Sequence, residues 1–184
     1  MTNIKSTAVI FDLDDTLYKE IDFLKSAFLE IAYNISLQVK DNEETIFKKM
    51  LELYDSKQNV FESILNIYST SLTINDLLLF YRGHKPNIKL SSEVIALLYQ
   101  LEKKKIPIGL LTDGRSTQQR NKIKALNLEK YLSEIIISEE FGSEKPCIDN
   151  FKYFEEAFNC SQYYYIGDNL KKDFISSNKL GWIT

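Results

Sequence analysis

Apolar and polar positions fall in two distinct rhythms along this chain. Thr7 to Phe11 (TAVIF) is a short, β-branched apolar run that stops at an acidic cluster, the pattern of a buried parallel strand ending at a site. From Ile21 to about Arg82 the spacing becomes helical, with Leu24, Phe28, Ile31 and Ile35 on one face of a first helix. Three more helices are predicted from capping pairs: Asp41 with Glu44, Asn59 with Glu62, and Thr73 with Asp76. In each pair a short polar side chain can accept from backbone N–H groups that the first turn leaves without partners. No strand pattern interrupts this stretch.

After Gly83 and Pro86 the rhythm alternates. It predicts a helix over Ser92–Lys103, a strand Ile106–Leu111, a helix Thr117–Leu126, a strand Glu134–Ile137, a helix Asp149–Phe158, a strand Tyr163–Ile166 and a helix Leu170–Lys179 closed near Gly181. Short strands separated by helices imply right-handed crossovers and a parallel sheet. The fold class is therefore α/β, a doubly wound parallel sheet interrupted after its first strand by an all-helical insertion. The expected domain division is residues 1–17 with 87–184 as the α/β core and 18–86 as the insertion.

The chain has 184 residues, 44% hydrophobic and 27% charged, with six glycines and three prolines, a globular composition rather than a collagenous or disordered one. Its formal charge of −3, without a lysine stripe free of neighbouring acids, disfavours nucleic acid as a partner. No run approaches the roughly 18 apolar residues of a membrane helix, so no membrane partner is expected. Cys147 and Cys160 lack metal-ligand spacing and read as free thiols in a cytoplasmic protein.

In open parallel sheets, ligands bind beyond the carboxyl ends of the strands. There the chain carries Asp12-Leu13-Asp14-Asp15-Thr16, then Thr112-Asp113-Gly114, then Lys145-Pro146, and finally Gly167-Asp168 with Asp173 following. Several carboxylates brought together repel one another unless cations offset them. Oxygen donors with a single histidine in the chain suit a hard ion such as Mg²⁺. With Lys145 adding fixed positive charge, such a site suits a phosphoryl group.

The segments AVIFDLDDTLY, IGLLTDG, EKP and YIGDNLKKD resemble, in order, the four motifs of the haloacid dehalogenase-like (HAD) hydrolase superfamily, in its phosphatase branch with a helical cap between motifs one and two. The resemblance spans nearly the whole chain. It implies a Rossmann-like core and a Mg²⁺-dependent phosphatase acting on a small phosphorylated metabolite, of the sugar phosphate or nucleotide class, through an aspartyl-phosphate. By position, Asp12 is the expected nucleophile, Asp14 the general acid and base, and Thr16 the residue orienting Asp14. Thr112 and the backbone N–H groups of Asp113 and Gly114 are the expected phosphate binders, with Lys145 neutralising nucleophile and phosphate. The metal set implied is Asp12, the carbonyl of Asp14, and Asp168, with Asp173 in support.

Other readings have their own signatures. A phosphomutase shares this chemistry and differs in what accepts the phosphoryl group, and an idle or regulatory member keeps the fold alone. A receiver-type signalling domain also combines acids, Thr and Lys, but in a different motif order and without an insertion. Asp14 argues against dehalogenation, since a halide leaves without a proton. Asp15 is expected to be structural, as is the side chain of Asp113. Arg82 and His84 are expected at a hinge, and Tyr163, Tyr164 and Tyr165 in packing. The sequence ends at Thr184, where the family continues through a fifth strand, so either the chain is truncated there or Trp182–Thr184 forms only a stub that leaves the edge of the fourth strand less protected; a monomer or weak homodimer is expected.

Overall fold

The computed structural model describes residues 6–184. In chain order the elements are β1 (Thr7–Phe11), α1 (Glu20–Ser36), α2 (Glu43–Asp55), α3 (Val60–Ile67), α4 (Ile74–Gly83), α5 (Ser92–Lys103), β2 (Ile108–Thr112), α6 (Ser116–Ala125), β3 (Glu134–Ile137), α7 (Ser138–Phe141), α8 (Ile148–Phe158), β4 (Gln162–Ile166) and α9 (Phe174–Lys179). They separate into two compact units, one running to Glu20 and resuming over Lys89–Thr184, the other Ile21–Ile88.

The first unit holds a parallel sheet in the order β3-β2-β1-β4. Phe11 lies opposite Leu110 on one side and Ile166 on the other, and Thr112 lies opposite Ile137. The strand ends are thus aligned, so the residues just after them share one rim. Under the sheet, Ala8, Ile10, Leu111, Ile136, Tyr163 and Tyr165 pack with Phe151, Phe154 and Trp182. Gly109 permits this packing, because a Cβ there would stand 2.5 Å from the Phe154 ring.

The sheet continues past β4 by one residue. Ile183 forms a single parallel bridge to Tyr164, with its N–H donating to the Tyr163 carbonyl and its carbonyl accepting from the Tyr165 N–H, both at 2.9 Å. Trp182 anchors this stub by stacking on Tyr163 at 4.9 Å and donating its indole N–H to Glu155.

The second unit is all-helical, with a core of its own built from Phe28, Ile31, Ile35, Ile46, Met50, Ile64 and Leu77. Asn59 caps α3 and Thr73 forms a reciprocal box with Asp76 at α4, as their spacing predicts. At α2 the cap is Asn42, accepting from the Thr45 N–H. Asp41 instead accepts from the Tyr68 hydroxyl at 2.9 Å. His84 closes α4 through its N–H to the Phe80 carbonyl and packs on Phe23 at 4.8 Å.

Two boundaries differ from the sequence pattern by more than one residue. β2 starts at Ile108, not Ile106, because Lys105 turns left-handed and the Ile106 N–H bonds back to the Leu101 carbonyl, so Ile106 finishes α5. α9 starts at Phe174, not Leu170, because the Lys172 and Asp173 N–H groups fold onto the Asn169 carbonyl in a separate turn. Among the described residues no helix is long and apolar enough to cross a membrane.

Candidate active site

Asp12 continues the line of β1, donating its N–H to the Ile166 carbonyl at 2.8 Å. The chain then curls away. Asp15 takes a left-handed conformation and its carboxylate accepts from the Glu20 N–H at the start of α1, a structural duty as its position suggested. From the neighbouring rim positions come Thr112 at the end of β2, Asp113 just after it, Lys145 after α7, and Asp168 after β4. Asp12, Asp14, Thr112, Asp113, Lys145 and Asp168 all line one cavity of about 280 Å³, joined by Asp15, Glu20, Asn169 and Lys172.

Lys145 occupies the centre of the buried charge. Its Nζ donates to Asp12 at 2.6 Å and to Asp173 at 2.7 Å. Asp173, fully buried, also accepts from the Tyr165 hydroxyl at 2.9 Å and from the Asn169 N–H at 2.8 Å. Gly167 makes room for it, since a Cβ there would stand 2.5 Å from the Asp173 carboxylate. The Lys145 backbone is held by Asp113, whose carboxylate accepts from the Lys145 N–H and from Lys172 Nζ, both at 3.0 Å. The Asp113 side chain is therefore a brace for the lysine, which leaves only its backbone facing a ligand role.

Two buried carboxylates share this one ammonium, so negative charge is in excess. Burial pushes Asp12 up from 3.8 to about 7; the pull of Lys145 opposes this and the Asp173 charge adds to it. Burial alone would lower Lys145, but the charge of Asp12 and the hydrogen bonds to Asp12 and Asp173 outweigh it and raise the lysine. Burial and the same two acids hold the Tyr165 hydroxyl protonated well above its ordinary range. At the mouth, burial and then the charges of Asp14, Asp15 and Asp168 raise Glu20, against Lys122.

Carboxylate oxygens of Asp12, Asp168 and Asp173 lie within 4.8 Å of one another. An all-oxygen donor set with uncompensated negative charge fits a hard divalent cation such as Mg²⁺. Asp173 is already engaged by three donors, so Asp12 and the exposed Asp168 are the acids with oxygens to spare, and Asp173 serves by fixing Lys145.

Three expectations need correction. The Thr16 hydroxyl is buried with no hydrogen-bond partner among the described residues, so it does not orient Asp14. That carboxylate is held instead by Lys122 at 2.7 and 2.9 Å, by Gln119 at 3.0 Å and by the Tyr18 hydroxyl, because the left-handed turn at Asp15 separates residue 16 from it. The Gly114 N–H donates to the Ser138 hydroxyl at 2.9 Å, and Gly114 faces a different cavity with Ser138 and Glu139. Its N–H is thus committed within the protein. Finally, Tyr165 is more than a packing residue, since its hydroxyl helps to fix Asp173.

Lys122 and Gln119 escaped the sequence reading because lysine and glutamine on a helix normally read as solvated. Their signal is the three-residue spacing that stacks them on one face of the helix following the Thr112 strand end.

A profile of the haloacid dehalogenase-like hydrolases matches residues 9–184. The chain belongs to this family. It is an enzyme, and its fold is the HAD-like α/β sheet. Among relatives of the chain, a glyceraldehyde 3-phosphate phosphatase of Methanocaldococcus jannaschii is 25% identical over 96% of this chain and 82% of its own. Another protein of that name, from Methanopyrus kandleri, is 28% identical over the same shares. Among solved structures, a HAD phosphatase from Thermococcus onnurineus superposes with a TM-score of 0.61 at 20% identity, covering 96% of this chain and 83% of its own, which shows the shared fold.

Proposed function

We propose that this hydrolase of phosphoric monoesters removes the phosphoryl group from a small phosphorylated sugar by way of an aspartyl-phosphate on Asp12. The observation that carries the reading is the placement of Lys145 Nζ between Asp12 and Asp173, in a cavity shared with Asp14, Thr112 and Asp168. Such a pocket presents a nucleophile, an acid, a hydroxyl donor and a fixed cation to one anion. The two phosphatases similar to this chain act on a triose phosphate by name, which supports the sugar phosphate class.

In the first step a carboxylate oxygen of Asp12 attacks phosphorus. The bond to the leaving oxygen breaks, and Asp14, which enters this step protonated, gives that oxygen its proton and becomes a carboxylate. In the second step Asp14 takes a proton from water, whose oxygen displaces Asp12 from phosphorus and yields phosphate. Lys145 offsets charge on Asp12 and on the phosphoryl oxygens throughout, and Thr112 donates its hydroxyl to one of those oxygens. Asp12, Asp168 and the Asp14 carbonyl would hold Mg²⁺, which when bound supplies further positive charge against the nucleophile and phosphoryl group. The helical unit, inserted between the first and second motifs, is proposed as the cap that supplies selectivity.

The test compares native protein with Asp12→Asn on p-nitrophenyl phosphate and a panel of sugar phosphates and nucleotides, with Mg²⁺ or with chelator. Phosphate release by the native protein, dependent on Mg²⁺ and lost in the variant, is expected. Equal rates in native and variant would reject the nucleophile, and transfer of phosphate to a second sugar rather than to water would reject the hydrolytic outcome.

A further inference from the structure

Lys122 lies on α6 with 1% of its side chain exposed, and Asp14 retains 22%. A lysine is almost never buried to this degree unless it is paired. Its Nζ reaches both Asp14 oxygens, at 2.7 and 2.9 Å, yet Lys122 does not line the cavity that Asp14 lines. The ammonium thus bonds the carboxylate without itself facing the substrate space. One turn earlier, Gln119, also 1% exposed, places its amide nitrogen 3.0 Å from the second Asp14 oxygen and 2.6 Å from the Thr112 hydroxyl oxygen.

A carboxylate only accepts, so the amide nitrogen must be the atom facing Asp14. The same NH₂ then donates to Thr112, which occupies a lone pair of that hydroxyl and leaves its hydrogen to point elsewhere, toward an anion in the cavity. Gly114 makes this possible, because a Cβ there would stand 3.1 Å from the Gln119 amide carbon.

We propose that Lys122 and Gln119 are positioning residues: together they hold the Asp14 carboxyl in the orientation needed for proton transfer and turn the Thr112 hydroxyl toward the phosphoryl group. The inference rests on the two-step reading above and adds the parts that make Asp14 effective. Removing one partner of a buried ion pair lowers stability, but a purely structural Lys122 could be exchanged for methionine without kinetic consequence in the protein that stays folded. A positioning Lys122 could not, since a misplacement of about 1 Å in a reacting group can cost about 10²-fold in rate.

The discriminating measurement exploits the leaving group. p-Nitrophenolate departs without a proton, whereas the alkoxide of glycerol 3-phosphate needs one from Asp14. Hydrolysis of the aspartyl-phosphate needs Asp14 as base with either substrate. For Lys122→Met in rapid mixing with p-nitrophenyl phosphate, a burst of one nitrophenolate per site at the native rate is expected, followed by turnover reduced about 10²-fold. With glycerol 3-phosphate the covalent step itself should slow by a similar factor, with KM little changed. Lys122→Arg should restore part of the loss. Gln119→Leu should lower turnover too and, because it also releases the Thr112 hydroxyl, slow the burst. If Lys122→Met does not fold, Lys122→Arg carries the same comparison with a smaller loss. In the Lys122 variants, burst and turnover falling in parallel on both substrates, or neither falling, would overturn the inference while the parent reading stands. Native protein that turns over neither substrate would overturn both.

Discussion

Removing the carboxylate of Asp12, the proposed nucleophile, should stabilise the cation-free protein. Burial, only partly opposed by Lys145, moves the Asp12 carboxyl from 3.8 to about 7. A carboxyl raised in the folded state binds its proton more tightly there than in the unfolded chain. Its contribution to stability therefore declines as pH climbs between those two values and stays unfavourable above them. At about 1.4 kcal/mol per tenfold difference in proton affinity, the penalty is about 2 kcal/mol near pH 5 and about 4 kcal/mol near pH 8. Asparagine keeps the shape of the side chain and cannot ionise, and Lys145 keeps its pairing with Asp173. In chelator, Asp12→Asn should thus exceed native protein by about 2 kcal/mol more near pH 8 than near pH 5. Urea unfolding followed by fluorescence of Trp182 measures this in the right unit, since this single tryptophan packs on Phe151 and Tyr163 beneath the sheet. Mg²⁺ should narrow the gap by stabilising the native protein. A gap independent of pH, or a variant less stable than native near pH 8, would refute the charge imbalance on which the metal reading depends.

Three other substitutions test the rest of the site. Lys145→Met leaves Asp12 and Asp173 buried together without their cation, so it should abolish phosphatase activity and cost about 3–5 kcal/mol in urea unfolding near neutral pH. The loss should shrink in acid, where the carboxyls bind protons. Gly167→Ala places a methyl group against the Asp173 carboxylate; a loss of about 1–3 kcal/mol and a lower kcat follow if that contact fixes Lys145, and unchanged kcat would remove Asp173 from that role. Thr16→Val should leave kcat unchanged, because the hydroxyl has no partner to lose. A large fall in kcat would restore Thr16 as the residue that orients Asp14.

The sheet was legible because each of its strands is a short, mostly apolar run ending at polar residues, and central parallel strands buried on both faces, as β1 and β2 are, demand that composition. The acids and Lys145 were legible for the same reason, since they stand where the runs stop. Boundaries were less so: Ile106 is apolar enough to open a strand, and only the left-handed Lys105 before it assigns it to the end of α5. Contacts across the fold were least visible. Lys122 is paired with a residue 108 positions away, and its one local signal, the three-residue spacing from Gln119, does not name that partner. The Tyr165 hydroxyl escaped for a related reason, because its ring satisfies the packing pattern and conceals the bond at its tip.

Lys145 follows Asp12 by 133 residues, and this separation has a consequence during synthesis. At about 5–20 residues per second, β1 is made about 7–27 s before its counter-ion. Throughout that interval it is an apolar segment ending in an acid with no cation and, until β2 is made, no neighbouring strand. The helical unit is completed earlier and holds a core of its own. A nascent chain halted anywhere between Ile88 and Lys145 would therefore own the whole insertion but not the lysine that the proposed chemistry requires.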